Sequence, residues 1–373
     1  MSVFPSLQEL LWSPSSYSDD LYFPLFRPQI HSAVFKFPHT GKGDSTCRPD
    51  RDPQSHTFLT WLQVSSPRVN YLCINASWQR IGEHHSRVIT SFEHLVDLHL
   101  ISSVSTTSFR ELAAMPRLKS LRAGHVWSDE LAPPLSHPLA QISAPRLMFI
   151  SIYGDCHLLA HLFTTLHAPI LKAVAFNAIC NDPAADDLGY IPCLKVLATL
   201  GTPTTMEELH IVLDKDIPPM RMHLAALINP LLGLRNMKCF TLLCPKLRLV
   251  ADDDFAAVTR AWPKLRSFRL PQAYWDSSVD SDDEDGYTDG DTIPTPEVLR
   301  LFRDHCPDLW ELVLPHLDLD TGIPDLAVLP AALPHRLKRL VFGAESDARN
   351  FEGREDRARE LVKAKAEWGH KSR

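Results

Sequence analysis

At 373 residues, 45% of them apolar and only 14 of them glycine, the chain has the composition of a folded protein, not of a fibrous or unstructured one. Its formal charge of −7 has one source: residues 276–291 carry eight acidic side chains and no basic one, and the rest balances at 37 acidic against 38 basic. A near-neutral body gives no case for nucleic acid as a partner, and no apolar run is long enough to span a bilayer.

The first recognisable element, Phe4-Pro5-Ser6-Leu7-Gln8-Glu9-Leu10-Leu11-Trp12, has a skeleton that returns down the whole chain: P-x-L-x-x-L-x-L. With the first apolar position as anchor, copies stand at Leu7, Ile30, Val69, Leu95, Leu118, Leu147, Leu171, Met206, Met237, Leu265, Leu309 and Leu337. The fullest copy runs from Pro263 to Leu270. Side chains alternate along a strand, so the last two apolar positions of each copy face one way, and the anchor turns inward with them. Two or three buried side chains cannot hold a fold alone. Copies stacked side by side share one core, which is the logic of a solenoid. Proline stands two residues before the anchor at Pro5, Pro28, Pro67, Pro116, Pro145, Pro169, Pro263 and Pro307. There it stops the preceding helix and holds its own predecessor extended. Because the phrase begins at once, with no capping element before it, the spacing predicts either an upstream segment or some other cover for that end.

Between the phrases the periodicity changes. Residues 38–55 read as a loop, punctuated by Pro38, Gly41, Gly43, Pro49 and Pro53. Helices are predicted from His56 to Leu62 and from Trp78 to Phe92, each with its apolar residues on one face. Asp155 is placed to cap a helix bearing Leu158, Leu159, Leu162, Phe163 and Leu166. Ile191 to Leu200 reads as helix, as does Phe255 to Trp262 behind Asp252-Asp253-Asp254, whose charges suit a helix's positive end. Thr295-Pro296 starts another, with Val298, Leu299 and Phe302 inward. Residues 276–292 form an acidic, low-complexity insertion expected to be disordered, and 345–373 a charged C-terminal helix or tail. Residues 1–344 are then one solenoid domain.

Chemistry is sparse. Eight cysteines show no C-x-x-C and no paired framework, and the start lacks a signal layout, which points to a reducing, intracellular compartment, cytoplasmic or nuclear. Asn75-Ala76-Ser77 is then a chance sequon. His157 and His161 are spaced to share a metal on one helix face, but no third ligand accompanies them, so solvent-facing histidines are the reading. The adjacent pair His84-His85 points its rings apart. The three aspartates at 252–254 could bind a divalent ion, though a charged helix start is the commoner use of such a run. No phosphate-cradling, dinucleotide-binding, nucleophile-elbow or zinc-protease motif occurs, so no enzyme, metal or cofactor is expected.

The strand residues between the apolar anchors face away from the core, where solenoids bind their partners. They are Tyr71, Asp97, His99, Arg122, Phe149, Glu208, His210, Arg269, Glu311 and Arg339. Aromatic rings and arginines among charges of both signs suit a protein partner. Some slots on that face are apolar (Val34, Cys73, Ala175, Val313 and Val341), which would fit a second covered surface.

Phrases such as Phe92-Glu93-His94-Leu95-Val96-Asp97-Leu98-His99-Leu100, Met206-Glu207-Glu208-Leu209-His210-Ile211 and Cys306-Pro307-Asp308-Leu309-Trp310-Glu311-Leu312 resemble the leucine-rich-repeat-like region of the fungal F-box protein family, from Pro5 to about Phe342. The resemblance implies a substrate-recognition array for an SCF-type ubiquitin ligase, whose F-box would dock on the ligase adaptor. No leucine-proline opening with a helical apolar pattern, the mark of an F-box, is found near Met1. Nor does the chain carry the asparagine or cysteine that closes the turn in regular repeats; Ser103, Val126, Asp155 and Leu317 fill those slots. The expected architecture is an irregular α/β solenoid, a curved parallel sheet with helices on its convex side. The alternative function is a stand-alone leucine-rich-repeat interaction protein with no ubiquitin link.

Overall fold

A computed structural model describes residues 8–13, 30–36, 53–128, 141–179, 190–200, 204–213, 220–244, 247–271, 294–315, 317 and 336–342. Leu7, most of the 38–55 loop, the acidic insertion at 276–292 and the tail at 345–373 lie outside them. The chain divides into two compact units, residues 1–176 with 200–202, and residues 177–199 with 203–373.

The first unit contains β1 (Glu9–Trp12), β2 (Ser32–Lys36), α1 (Pro53–Ser65), β3 (Tyr71–Ile81), α2 (Glu83–Thr90), β4 (Asp97–Ser105), α3 (Thr106–Ala113), β5 (Ser120–Trp127), β6 (Ile142–Ser143), β7 (Phe149–Asp155), α4 (Cys156–Thr165), β8 (Leu166–His167) and the start of β9 (Ala173–Ile179). Its strands follow one another in the order β1-β2-β3-β4-β5-β7-β9, and the registered pairs are parallel. The apolar positions form a continuous ladder: Leu10, Ala33, Leu72, Leu98, Leu121 and Ile150 are successive cross-strand partners. β6 and β8 form a separate two-stranded piece.

The second unit holds α5 (Ile191–Thr199), β10 (Glu208–Leu213), β11 (Met220–His223), α6 (Leu224–Ile228), a 3-10 turn at Asn229–Leu231, β12 (Cys239–Leu243), β13 (Leu247–Leu249), α7 (Asp252–Ala261), β14 (Ser267–Arg269), α8 (Glu297–His305), β15 (Glu311–Leu314) and β16 (Arg339–Phe342). Here the order is β10-β12-β14-β15-β16, again parallel, with Leu209, Phe240, Phe268, Leu312 and Leu340 in one ladder. β11 and β13 pair apart from it. Both units are therefore the α/β, leucine-rich-repeat-like solenoid that the phrases predict.

The turn chemistry of the repeat explains its prolines. In the described turns that carry the proline, the anchor donates its N–H to the carbonyl three residues back: Val69 to Ser66 (3.2 Å), Leu118 to Met115 (3.3 Å), Leu147 to Ala144 (3.2 Å), Leu171 to Ala168 (3.1 Å), Leu265 to Trp262 (3.1 Å) and Leu309 to Cys306 (3.1 Å). Proline occupies the second position of these four-residue turns, where its fixed φ is already correct. The anchors from Ile30 to Leu309 are each 1% exposed or less. The turn's first residue is buried as well (Ser66, Phe92, Met115, Ala144, Ala168, Leu234, Trp262, Cys306), a fourth core position per repeat that the phrase does not announce.

Helices cover one face of each sheet. Phe58 of α1 packs 4.6 Å from Phe35 of β2, and Phe163 of α4 lies 6.2 Å from Phe176 of β9. In the second unit Phe255 of α7 and Phe302 of α8 stand 6.0 and 5.2 Å from Phe268 of β14. Asp155 caps α4, accepting the N–H groups of His157 (2.9 Å) and Leu158 (3.2 Å). The aspartates before Phe255 lie inside α7's first turn. Asp254 accepts the N–H of Ala251 and, from the start of α6, that of Ala225. Asp252 accepts from both the N–H and the hydroxyl of Thr295.

Two expectations are corrected. Residues 78–81 continue β3, with Arg80 opposite Ser103 and Ile81 opposite Val104 after an irregularity, and the helix begins only at Glu83. Extension of the neighbouring strand β4 supplies pairing partners that a helix there would forfeit, and Ile81 is buried beneath them. The helix expected from His56 starts earlier, at Pro53, so residues 53–55 belong to α1 and not to a loop.

Candidate functional site

Alternation leaves the other side of each sheet to side chains that the core does not use. In the first unit they form two registered rows. One reads Ser32, Tyr71, Asp97, Ser120, Phe149 from β2 to β7; the next reads Val34, Cys73, His99, Arg122, Ser151. In the second unit the rows are Glu208, Cys239, Ser267, Glu311, Arg339 and His210, Thr241, Arg269, Val313, Val341. The ten residues singled out from the sequence thus fall in two pairs of neighbouring rows.

Their surroundings differ. Arg122 is exposed, with its guanidinium 5.0 Å from the centre of the half-exposed Phe149 ring. Behind it the Cys73 thiol is 3.8 Å from His99 Nδ1. Burial pushes the Cys73 thiol up, so it stays protonated and unreactive. Burial, helped by the Arg122 charge, holds His99 below the usual imidazole value.

Glu311 is 5% exposed, and its carboxylate is fully engaged. Oε2 accepts the Ser267 hydroxyl at 2.6 Å, Oε1 accepts Arg339 Nη1 at 2.7 Å, and Arg269 Nε stands 3.7 Å away. Burial pushes this carboxyl up, but the hydroxyl and the two arginines outweigh it and the group lies below the usual glutamate value. His210 accepts from or donates to Thr241 at 3.1 Å, and burial lowers its pKa. Glu208 is exposed. Cys73 and Val313, two of the apolar slots, are buried at 6% and 0% exposure, so the far side of the sheet is covered at those points.

Past the phrases, the longer strands of the first unit carry further residues that sequence spacing did not mark. Arg80 stacks 4.5 Å from the centre of the Trp127 ring, and His125 lies 5.1 Å from Tyr153. The alternation runs on without a break in β7, a signal that could have marked Tyr153, but in β5 it slips at Gly124-His125 before Val126 at 0% exposure, so spacing alone does not place Trp127.

The chemistry of a metal site is not assembled: among the described residues no three His, Cys, Asp or Glu side chains converge. His157 is exposed and His161 half-exposed on α4, and the carboxylates of Asp252 and Asp254 are turned toward N–H donors. Six cysteines (73, 156, 193, 239, 244 and 306) are free thiols. Among the described residues no helix is long and apolar enough to cross a membrane.

No protein-family model matches the chain, and no curated protein matches it in sequence. Among solved structures it is similar to the leucine-rich repeat-containing protein LegL7 from Legionella pneumophila, at 10% identity over 95% of this chain and 97% of that one, with a TM-score of 0.39. The complex of Rad7 and Elc1 in yeast is similar over 87% of this chain and 80% of that one, at 12% identity and a TM-score of 0.42. An internalin of Listeria monocytogenes, inlF, is similar over 75% and 81%, at 13% identity and 0.28. The fold class itself rests on the strand order and register given above.

Proposed function

We propose that the chain is a protein-recognition scaffold, the substrate-recognition part of an F-box-type receptor of an SCF ubiquitin ligase. The observation that carries the recognition reading is the division of labour in the strands: one side of each sheet is spent on the core, and the other presents registered rows that include Tyr71, Phe149, Arg122, Arg269 and Arg339 among polar side chains. The ligase assignment follows the resemblance of the phrases to the fungal F-box proteins. Free thiols throughout the described residues suit a reducing, intracellular setting. Nothing in the site calls for a cofactor, and the reading is of a binding protein, not an enzyme.

Native affinity purification tests both levels. Recovery of the ligase adaptor with the protein expressed from its full natural transcript is expected. So is a bound protein whose recovery falls at least tenfold when Tyr71 and Phe149 are replaced by alanine in a variant with an unchanged melting profile. Absence of the adaptor would overturn the ubiquitin link, and a complex indifferent to the two replacements would overturn the outward rows as the binding surface.

A further inference from the structure

Two arginines on the outward side of the first unit are fixed in place yet uncommitted. The Arg80 guanidinium rests 4.5 Å from the centre of the Trp127 ring and that of Arg122 rests 5.0 Å from Phe149. Both side chains are exposed. Stacking occupies the flat face of a guanidinium and leaves its in-plane N–H groups able to fork onto a carboxylate. Among the described residues neither arginine makes an ion pair or a side-chain hydrogen bond.

The carboxylates nearest in register do not serve them. Asp155, at the end of β7, caps α4 through two backbone N–H groups. Asp97, on β4, is half-buried and pairs with neither arginine. In the second unit the corresponding arginines, Arg269 and Arg339, both face the buried Glu311. Among the described residues, the first unit thus holds two ordered cations with no carboxylate paired to them. Ordering them on rings beforehand lowers the entropy cost of binding an anion.

We propose that this face binds an extended, acidic segment of a partner protein, one carboxylate forking onto Arg122 and another onto Arg80. The proposal rests on the recognition reading above and supplies the chemistry of its partner. Arg122 and Trp127 are five residues apart on β5, and an irregularity at Gly124-His125 turns both outward, so at roughly 3.3 Å per residue the two cationic sites stand at most about 17 Å apart. That is the span of about five residues of extended peptide. The aromatic rings beneath and beside the arginines give the peptide's aliphatic stems a surface to lie on.

Fluorescence anisotropy on the purified full chain tests it. The probe is a labelled twelve-residue Gly/Ser peptide carrying two pairs of glutamates five residues apart. Arg80→Gln and Arg122→Gln are each expected to weaken binding about tenfold, the value of a hydrogen bond to a charged group. Raising salt from 50 to 200 mM is expected to weaken it several-fold, while Arg260→Gln, on the exposed side of α7, changes nothing. Should Arg122→Gln lower the melting temperature, Arg122→Lys keeps the charge without the fork and is expected to lose most of the affinity.

Equal affinity in the double variant, equal binding of a lysine version of the peptide, or tighter binding of a single-stranded oligonucleotide would each overturn the proposal. A gain in probe affinity on replacing the eight acidic residues of 276–291 by Asn and Gln would assign the face to the chain's own segment and overturn a separate partner. Photo-crosslinking from Ser151, in the same row as Arg122, separates the two levels. A crosslinked partner indifferent to salt and to Arg80→Gln/Arg122→Gln would overturn the acidic segment and leave the recognition reading standing. Loss of every crosslink at this face would remove both.

Discussion

The two units solve the same problem on their inner sides and opposite problems on their outer ones. In the first, strands β3, β4 and β5 run to 11, 9 and 8 residues, and their extra length carries arginines and rings beyond the repeat phrase. In the second, β12, β14 and β15 stop at 5, 3 and 4 residues, and the outward arginines close on a carboxylate of their own sheet. A surface whose charges are already paired offers a partner less than one whose cations are ordered and open. Strand length past the anchor supplies the Arg80–Trp127 site, while Arg122 on Phe149 is an outward pair of the phrase itself.

Breaking the second unit's inner side should give the largest effect. Phe268 has no exposure and touches Phe240, Phe255 and Phe302, with ring centres between 5.2 and 6.0 Å away. Phe268→Ala is expected to destabilise by about 4 kcal/mol, from lost transfer energy plus the cavity left among three rings. Chemical denaturation measures this; a loss under 1 kcal/mol would mean that the cluster collapses freely around the gap.

Glu311→Gln tests the self-paired outward surface. The change leaves Arg269 and Arg339 without their anion, but both are partly solvated, at 31% and 45% exposure, and water recovers part of the loss. About 2 kcal/mol is expected. Arg122→Gln in the first unit should cost under about 0.5 kcal/mol, since no ion pair is broken. Similar costs for the two would erase the contrast between the units. The sign with pH follows from the lowered carboxyl: the stabilisation by Glu311 is present above the ordinary value of 4.5 and is lost as pH falls through the lower folded value.

Gly124 probes what the long strands of the first unit require. A Cβ there would meet the Ser102 carbonyl oxygen at 2.5 Å, in the stretch where β4 and β5 shift register. The obstacle is backbone and cannot rotate away. Gly124→Ala should cost about 1–3 kcal/mol and loosen the register that places Trp127; hydrogen exchange confined to β4 and β5 would show it.

Most of this inner architecture was legible in the sequence because burial leaves a period. Leu72, Leu98, Leu121 and Ile150 had to face one way, and the alternation named their outward neighbours as well. Two things were not legible. Residues 78–81 carry an apolar pattern that fits a helix, and only the availability of Ser103 and Val104 as partners on β4 makes them strand. Glu311 reads like any outward carboxylate, yet its burial depends on Ser267 and Arg339, 44 and 28 residues away in sequence. Neither dependence has a local signature. The stacking of Arg80 on Trp127 is hidden for the same reason, since a register shift between β3 and β4 decides where Arg80 arrives.

The smallest expected effect reports on the open cations directly. His99 and His125 are both held below 6.5, first by burial and then by the charges of Arg122 and Arg80 respectively. A histidine depressed in the folded state binds its proton less readily there than in the unfolded chain, so stability falls as pH drops from 6.5 toward the folded value and is flat above it. Proton NMR titration of the two imidazoles should give midpoints below 6.5, and Arg122→Gln should move that of His99 part of the way back while leaving His125 in place. Burial survives the substitution, so a full return is not expected. Binding of an acidic segment across the same arginines should raise both midpoints together, by adding carboxylates to those of Asp97 and Asp155, which already act on His99 and His125 in that direction. A rise limited to one of them would mean that a single arginine is engaged.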